Sequence, residues 1–339
     1  MKGCFKVPAL AATHCAVLWV NCAFALAAAP ATSSRLPAGE YQAWRVQAAR
    51  ALSNRADANS LAAAAALKFA GSAPKLKSAG SKPEASTALD LIARASELAP
   101  QSAGIAWLHL QLCAQTPACD IRDAATVMRW VDADNGAAWV PTLAAAQKDK
   151  DSVEIDRVLT DMAQGSRFDL YTNEIVVLMF DALKSARREL PAGYAASDWA
   201  RFVEVTGIAS AEIIPPFAPL MDACRESAGA PARREACLKL AKTMQRSDTV
   251  AAQMAGFGIE RRLLPPDSKE AKGIAQSRHL LEARVTAAAQ FDLPLMPWTK
   301  NARARTRLAQ MRLQPREEDV CIAILREHKA DIEPAEERK

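Results

Sequence analysis

The chain has 339 residues, half of them apolar but only 6% aromatic, and a formal charge of +5. Alanine dominates the apolar class, and β-branched and aromatic residues are too sparse for a large sheet, so helices packed through small side chains are expected. The modest positive charge excludes the concentrated basic face of a nucleic-acid binder.

Residues 1–27 read as a secretory leader. Lys2 and Lys6 precede an apolar stretch over 7–26, and Ala25-Leu26-Ala27 supplies the small-x-small pattern that a signal peptidase cuts. An uncleaved membrane anchor is the competing reading, but Pro8, Thr13, His14 and Asn21 interrupt the run, leaving it short of the ~20 apolar residues that span a bilayer. Cys22 follows Trp19-Val20-Asn21, which is not a lipoprotein pattern. A periplasmic or secreted protein beginning near Ala28 is expected, its charge lowered by two with the loss of Lys2 and Lys6.

An N-terminal helical segment over 28–70 follows, with helices near 40–54 and 58–70. Residues 71–85 concentrate Gly, Ser, Pro and Lys, the composition of a flexible linker. From Ser86 onward apolar stripes recur at i, i+3, i+4 and i+7: Ala88, Leu91, Ile92, Ala95, then Ala124, Val127, Met128, Val131, then Ile155, Val158, Leu159, Met162. Short polar breaks separate them, so each helix is expected to have an antiparallel neighbour. Residues 175–180, Ile-Val-Val-Leu-Met-Phe, are too few to cross a membrane and apolar all round, which predicts the central helix of the fold. A C-terminal helical domain over 191–330 ends in two helices, the second opening with Glu317, Glu318 and Asp319 where the helix dipole favours acids. A charged tail covers 331–339.

Two stretches within 86–190 echo each other. Trp107, preceded by Ala-Pro-Gln-Ser, and Trp139, preceded by Asp-Ala-Asp-Asn-Gly, lie 32 residues apart, each followed by a helix, a turn and another helix. Over about 86–164 this layout resembles the tetratricopeptide repeat. It departs from the pattern at Gln111 and Leu143, where a small residue is usual, and at Ala114 and Ala146, where a large aromatic is usual. The expected fold is all-α, antiparallel helical hairpins in a repeat-like array.

Five cysteines remain beyond the leader. Cys113 and Cys119 flank Thr116-Pro117, and Cys224 and Cys237 flank Gly229-Ala230-Pro231. Residues equidistant from a hairpin turn face each other at disulfide reach, so each pair is expected to staple a hairpin, which suits an oxidising compartment. Their spacings lack a metal-ligand pattern. Cys321, among Val320, Ile322, Ile324 and Leu325, is expected to be a buried thiol.

No catalytic motif is present. His109, His279 and His328 share no metal-ligand spacing, and no nucleophile elbow or phosphate-binding loop is found. The carboxylate pairs Asp149/Asp151, Glu317/Glu318 and Glu336/Glu337 are expected to be solvated, with ordinary pKa values. Arg225-Glu226-Ser227 contains a Glu-Ser dipeptide beside a hairpin end. The expectation is an exported, non-catalytic helical scaffold of the cell envelope, with no cofactor or metal, that binds a protein or peptide partner. Trp107 and Trp139 either line a partner-binding surface or pack the repeats. One alternative is an envelope hydrolase or lyase using carboxylates within 190–330. Another is a peripheral binder of anionic lipid through Lys300, Arg303, Arg305, Arg307 and Arg312.

Overall fold

The computed structural model describes residues 38–72, 82–117, 119–187, 189, 197–225, 230–292 and 299–332. The expected leader, most of the expected linker, the Glu226-Ser227 dipeptide and all but two residues of the charged tail lie outside these. Among the described residues there are fifteen α-helices and one 3-10 turn, and no strand. In chain order they are α1 (Ala38–Ser53), α2 (Ala58–Ser72), α3 (Lys82–Leu98), α4 (Ala103–Ala114) and α5 (Ile121–Val131). The 3-10 turn Gly136–Trp139 leads into α6 (Val140–Lys148), α7 (Ser152–Gln164) and α8 (Thr172–Ser185). The remainder are α9 (Asp198–Glu212), α10 (Ala218–Arg225), α11 (Pro231–Met244), α12 (Val250–Leu263), α13 (Lys269–Asp292), α14 (Lys300–Leu313) and α15 (Glu317–Glu327).

Short polar side chains start several of these helices by satisfying the first free N–H groups. Ser102 accepts from Ile105, Asp120 from Arg122, Asp151 from Val153 and Glu154, and Thr249 from Ala252. Helix α2 owes its place to alanine. Residues 61–67 are all buried, and their small side chains let α1 and α3 approach from two sides while α8 and α9 also pack on it.

From α3 to α7 the chain packs largely neighbour on neighbour, α3 on α4, α4 on α5, α5 on α6, α6 on α7. Helix α8 breaks that order. Ile175, Val176, Met179, Phe180 and Leu183 are almost fully buried, and α8 contacts α2, α4, α9 and α14. It is the central helix, as its apolar run over 175–180 predicts, with only the edge carrying Glu174, Asp181 and Lys184 left to solvent. Helix α14 returns across α8 and α9, so one apolar core runs from Trp44 to Leu308. Two satellite clusters join α13 to α12, through Phe257 and Leu281, and to α15, through Ala288 and Ile324.

Both cysteine pairs are disulfides. Cys113–Cys119 ties the last turn of α4 to the connection into α5, with Cα atoms 5.2 Å apart, and Cys224–Cys237 joins α10 to α11 at 5.7 Å. Two such bonds point to an oxidising, extracellular-type compartment. Cys321 carries no disulfide and packs half-buried against the α12–α13 cluster. No helix among the described residues is long and apolar enough to cross a membrane.

Candidate functional site

Two loops are zipped together beside the central helix. Gly136 N–H donates to the Arg167 carbonyl at 2.9 Å and Arg167 N–H to that of Asp134 at 3.1 Å, a single parallel bridge. Glycine is required for this approach, since a Cβ on Gly165 would lie 2.8 Å from the Asp134 carbonyl and one on Gly136 2.7 Å from that of Met162. Asn135 completes the zip. Its side-chain oxygen accepts from Ala137 and Asp169 N–H, while its amide donates to the Asp169 carbonyl and the Tyr171 hydroxyl.

Buried carboxylates fix the loop ahead of α8. Asp132 receives both Arg167 and the Tyr171 hydroxyl. Asp248, in the α11–α12 turn, accepts the main-chain N–H groups of Leu170 at 2.8 Å and Tyr171 at 2.6 Å. Its own N–H donates to Asp169 Oδ1 at 3.3 Å. The start of α15 closes the arrangement: Glu317 N–H donates to the Asp248 carbonyl at 2.7 Å, and Glu317 Oε2 accepts from Val250 N–H at 2.8 Å, filling the α12 N-terminus. Asn173 donates to the Gln314 and Pro315 carbonyls, tying α8 to the α14–α15 connection.

These elements line an open cleft of ≈ 450 Å³, whose walls include Asp169, Tyr171, Asp248, Val177 of α8, Met311 and Pro315. Arg167, Arg312 and Glu174 also line it. Glu174 is exposed at the rim, its Oε1 accepting the Gly104 N–H at 3.1 Å.

Burial dominates the electrostatics. It pushes the Asp248 carboxyl up to about 8, helped by the charges of Asp169 and Glu317 and opposed by the two main-chain donors. Glu317 is raised to about 7 by burial, against the pull of the Val250 N–H. Asp169 is raised by burial, against Arg167. The Tyr171 hydroxyl is raised by burial and then by Asp132, so it stays protonated and donating.

Several expected site residues stand elsewhere. Trp107 is fully buried and its indole N–H donates to the Ile213 carbonyl, so it packs the fold and lines no surface. Trp139 is half-buried, with Arg129 and Arg157 over its ring at 4.2 and 5.5 Å. In the basic group of α14, Arg303 bonds His328, Arg305 lies 3.7 Å from Asp198, Arg307 is 1% exposed and bonds Glu327, and Arg312 bonds Asp181. Four of its five cations are therefore engaged within the fold, leaving Lys300 at the helix start. Of the carboxylate pairs, Asp151 caps α7, whereas Glu317 is only half exposed to solvent: folding of α15 onto the α11–α12 turn half-buries it and raises its carboxyl. None of the three histidines lines the cleft. Among the described residues no group of three His, Cys, Asp or Glu side chains is placed to hold a metal ion.

Sequence reasoning missed Asp132, Asp169 and Asp248 altogether. They come from three connections far apart in the chain, and the one local signal was the polar 132–135 turn. Compared with family models, curated proteins and solved structures, the chain matches none.

Proposed function

We propose that the protein is an exported helical scaffold of the bacterial cell envelope that binds a protein or peptide partner in the cleft beside α8. The observation that carries this is how the cleft's carboxylates are used: Asp248 accepts two main-chain N–H groups, Asp169 and Glu174 one each. Their oxygens set the shape of the wall, as a binding surface requires. Arg167 and Arg312 keep 52% and 44% of their side chains in solvent near Val177 and Met311, a mixed lining suited to an extended peptide. The 1–27 leader delivers the chain to the periplasm, and the 86–164 hairpins serve as a degenerate tetratricopeptide-like framework for the loops. Immobilised protein exposed to periplasmic extract then enriches a discrete partner, less so after Arg312→Glu. Enrichment of nothing removes the proposal.

One observation favours a second reading, an envelope hydrolase or lyase with a carboxylate acid within 190–330. Asp248 lies in that range, lines the cleft and binds its proton up to about pH 8. Muropeptide release from purified peptidoglycan, lost in a folded Asp248→Asn variant, would establish it, and no release would dismiss it.

A further inference from the structure

The cleft is polarised along α8. Glu174, Val177 and Asp181 lie at i, i+3 and i+7 on one face of that helix, the first two lining the cleft and the third bonding Arg312, which lines it too. Seven residues of helix set Asp181, and the guanidinium it holds, about 10 Å along the axis from Glu174. At the start of α8 the open groups are acceptors. Glu174 gives only Oε1 to the Gly104 N–H, and Asp169 gives Oδ1 to the Asp248 N–H. Asn173, 3% exposed, turns its amide to the Gln314 and Pro315 carbonyls, while its Oδ1 accepts nothing within the fold. Arg167 lies 3.8 Å from Asp169 Oδ2 but is bonded to Asp132, and Arg316 is bonded to Glu318. Asp169 and Glu174 therefore exceed the cations that face them.

The far end has the reverse character. Arg312 bonds Asp181 through Nη2 alone, at 2.6 Å, with both side chains nearly half exposed, and its Nε and Nη1 make no bond. An exposed pair of this kind is weak, so a second carboxylate can share the guanidinium at little cost. Val177, between the two ends, and Met311 add apolar surface suited to the methylene stems of long charged side chains. In a polyproline-like strand, side chains three residues apart share a face at about 9 Å, which matches the row from Glu174 to Arg312.

We propose that the cleft selects a polyproline-like peptide segment carrying a basic side chain and, three residues from it, an acidic one, the base seated among Asp169, Asn173 and Glu174 and the acid on Arg312. This rests on the binding reading and names the partner chemistry of that same cleft. The test titrates acetyl-Lys-Leu-Pro-Glu-amide, and separately acetyl-Glu-Leu-Pro-Lys-amide, into the mature protein. It follows the methyl resonances of Val177 and Met311 by NMR, with exposed Val153 as the control. At least one order of the peptide shifts Val177 and Met311 and leaves Val153 in place. In the tighter-binding order, norleucine for the lysine or glutamine for the glutamate weakens binding by about fivefold each. Glu174→Gln, which keeps an oxygen for Gly104, weakens the lysine peptide by as much and leaves the norleucine peptide unchanged. Arg312→Gln does the same for the glutamate peptide and its glutamine analogue. A merely structural role would weaken charged and neutral peptides alike. Equal binding of charged and neutral peptides, variants that act alike on both, or no shift at Val177 and Met311 overturns this selectivity. Those results bear on the charge pattern alone: a partner captured from periplasmic extract keeps the binding reading in place, and an extract that yields none removes that reading whatever the peptides do.

Discussion

Asp248 Oδ2 accepts the main-chain N–H of Tyr171 at 2.6 Å while Tyr171 holds a left-handed backbone, φ 56°. A bulky L-residue in that region carries a steric cost of about 1–2 kcal/mol, which its surroundings must offset. Two acids do so, Asp248 at the main chain and Asp132 at the hydroxyl. The ring is thereby set into the cleft wall.

Tyr171→Phe keeps the backbone contact and removes the hydroxyl, leaving buried Asp132 with one donor fewer. A loss of about 1–3 kcal/mol in urea unfolding is expected. An unchanged midpoint would mean that Asp132 draws nothing from Tyr171.

Acid in this junction makes stability fall toward alkaline pH. Asp248 is raised from 3.8 to about 8 and Glu317 from 4.5 to about 7, so the folded state binds both protons more tightly than the unfolded chain. Their contribution is fully present below the unfolded values, near pH ~4, and is lost as pH rises through 7 and 8. The melting temperature should drop from pH 6 to pH 9, and Glu317→Gln should flatten the slope. A rise over that interval would contradict the burial of both groups.

The two disulfides differ in the length of chain they close, separations of 6 and 13 residues. Loop-closure entropy assigns about 2 kcal/mol to Cys113–Cys119 and about 3 kcal/mol to Cys224–Cys237. Cys224→Ala/Cys237→Ala therefore lowers stability more than Cys113→Ala/Cys119→Ala. Mass spectrometry of the mature chain, alkylated unfolded without reductant, should show one modified cysteine, Cys321; three or more would contradict the pairing.

Gly165→Ala places a methyl against the Asp134 carbonyl and the Gly136 N–H, both main chain and unable to swing aside. It should cost about 2–3 kcal/mol and open the bridge to Arg167. Gly207→Ala, in open space on α9, should be neutral or slightly stabilising. Equal effects at the two positions would show that the loops are not zipped.

Most helices were legible in the sequence because each buries one stripe: Ile155, Val158, Leu159 and Met162 recur at the expected spacing and all are buried. Val127 was expected on such a stripe yet is 41% exposed, since α5 packs through Ala124, Ala125 and Met128 and leaves its outer edge to solvent. The cysteine pairs were readable because turn chemistry sits midway between each. The cleft was not. Its acids come from connections separated by 37 to 79 residues or more, and Glu317 looked like an ordinary dipole-favoured residue at a helix start. Only the return of α14 across α8, a tertiary event without local pattern, brings Met311 and Pro315 to the same cleft as Tyr171.

The most direct measurement is site-specific photocrosslinking in cells that export the full-length protein. A photoreactive residue replaces either Arg312 on the cleft rim or Val153, which is 79% exposed and lies eleven residues, ~16 Å, along α7 from its C-terminal end. Binding in the cleft predicts one discrete protein adduct from position 312 and none from position 153. No adduct at 312, or the same adduct at both positions, would contradict it.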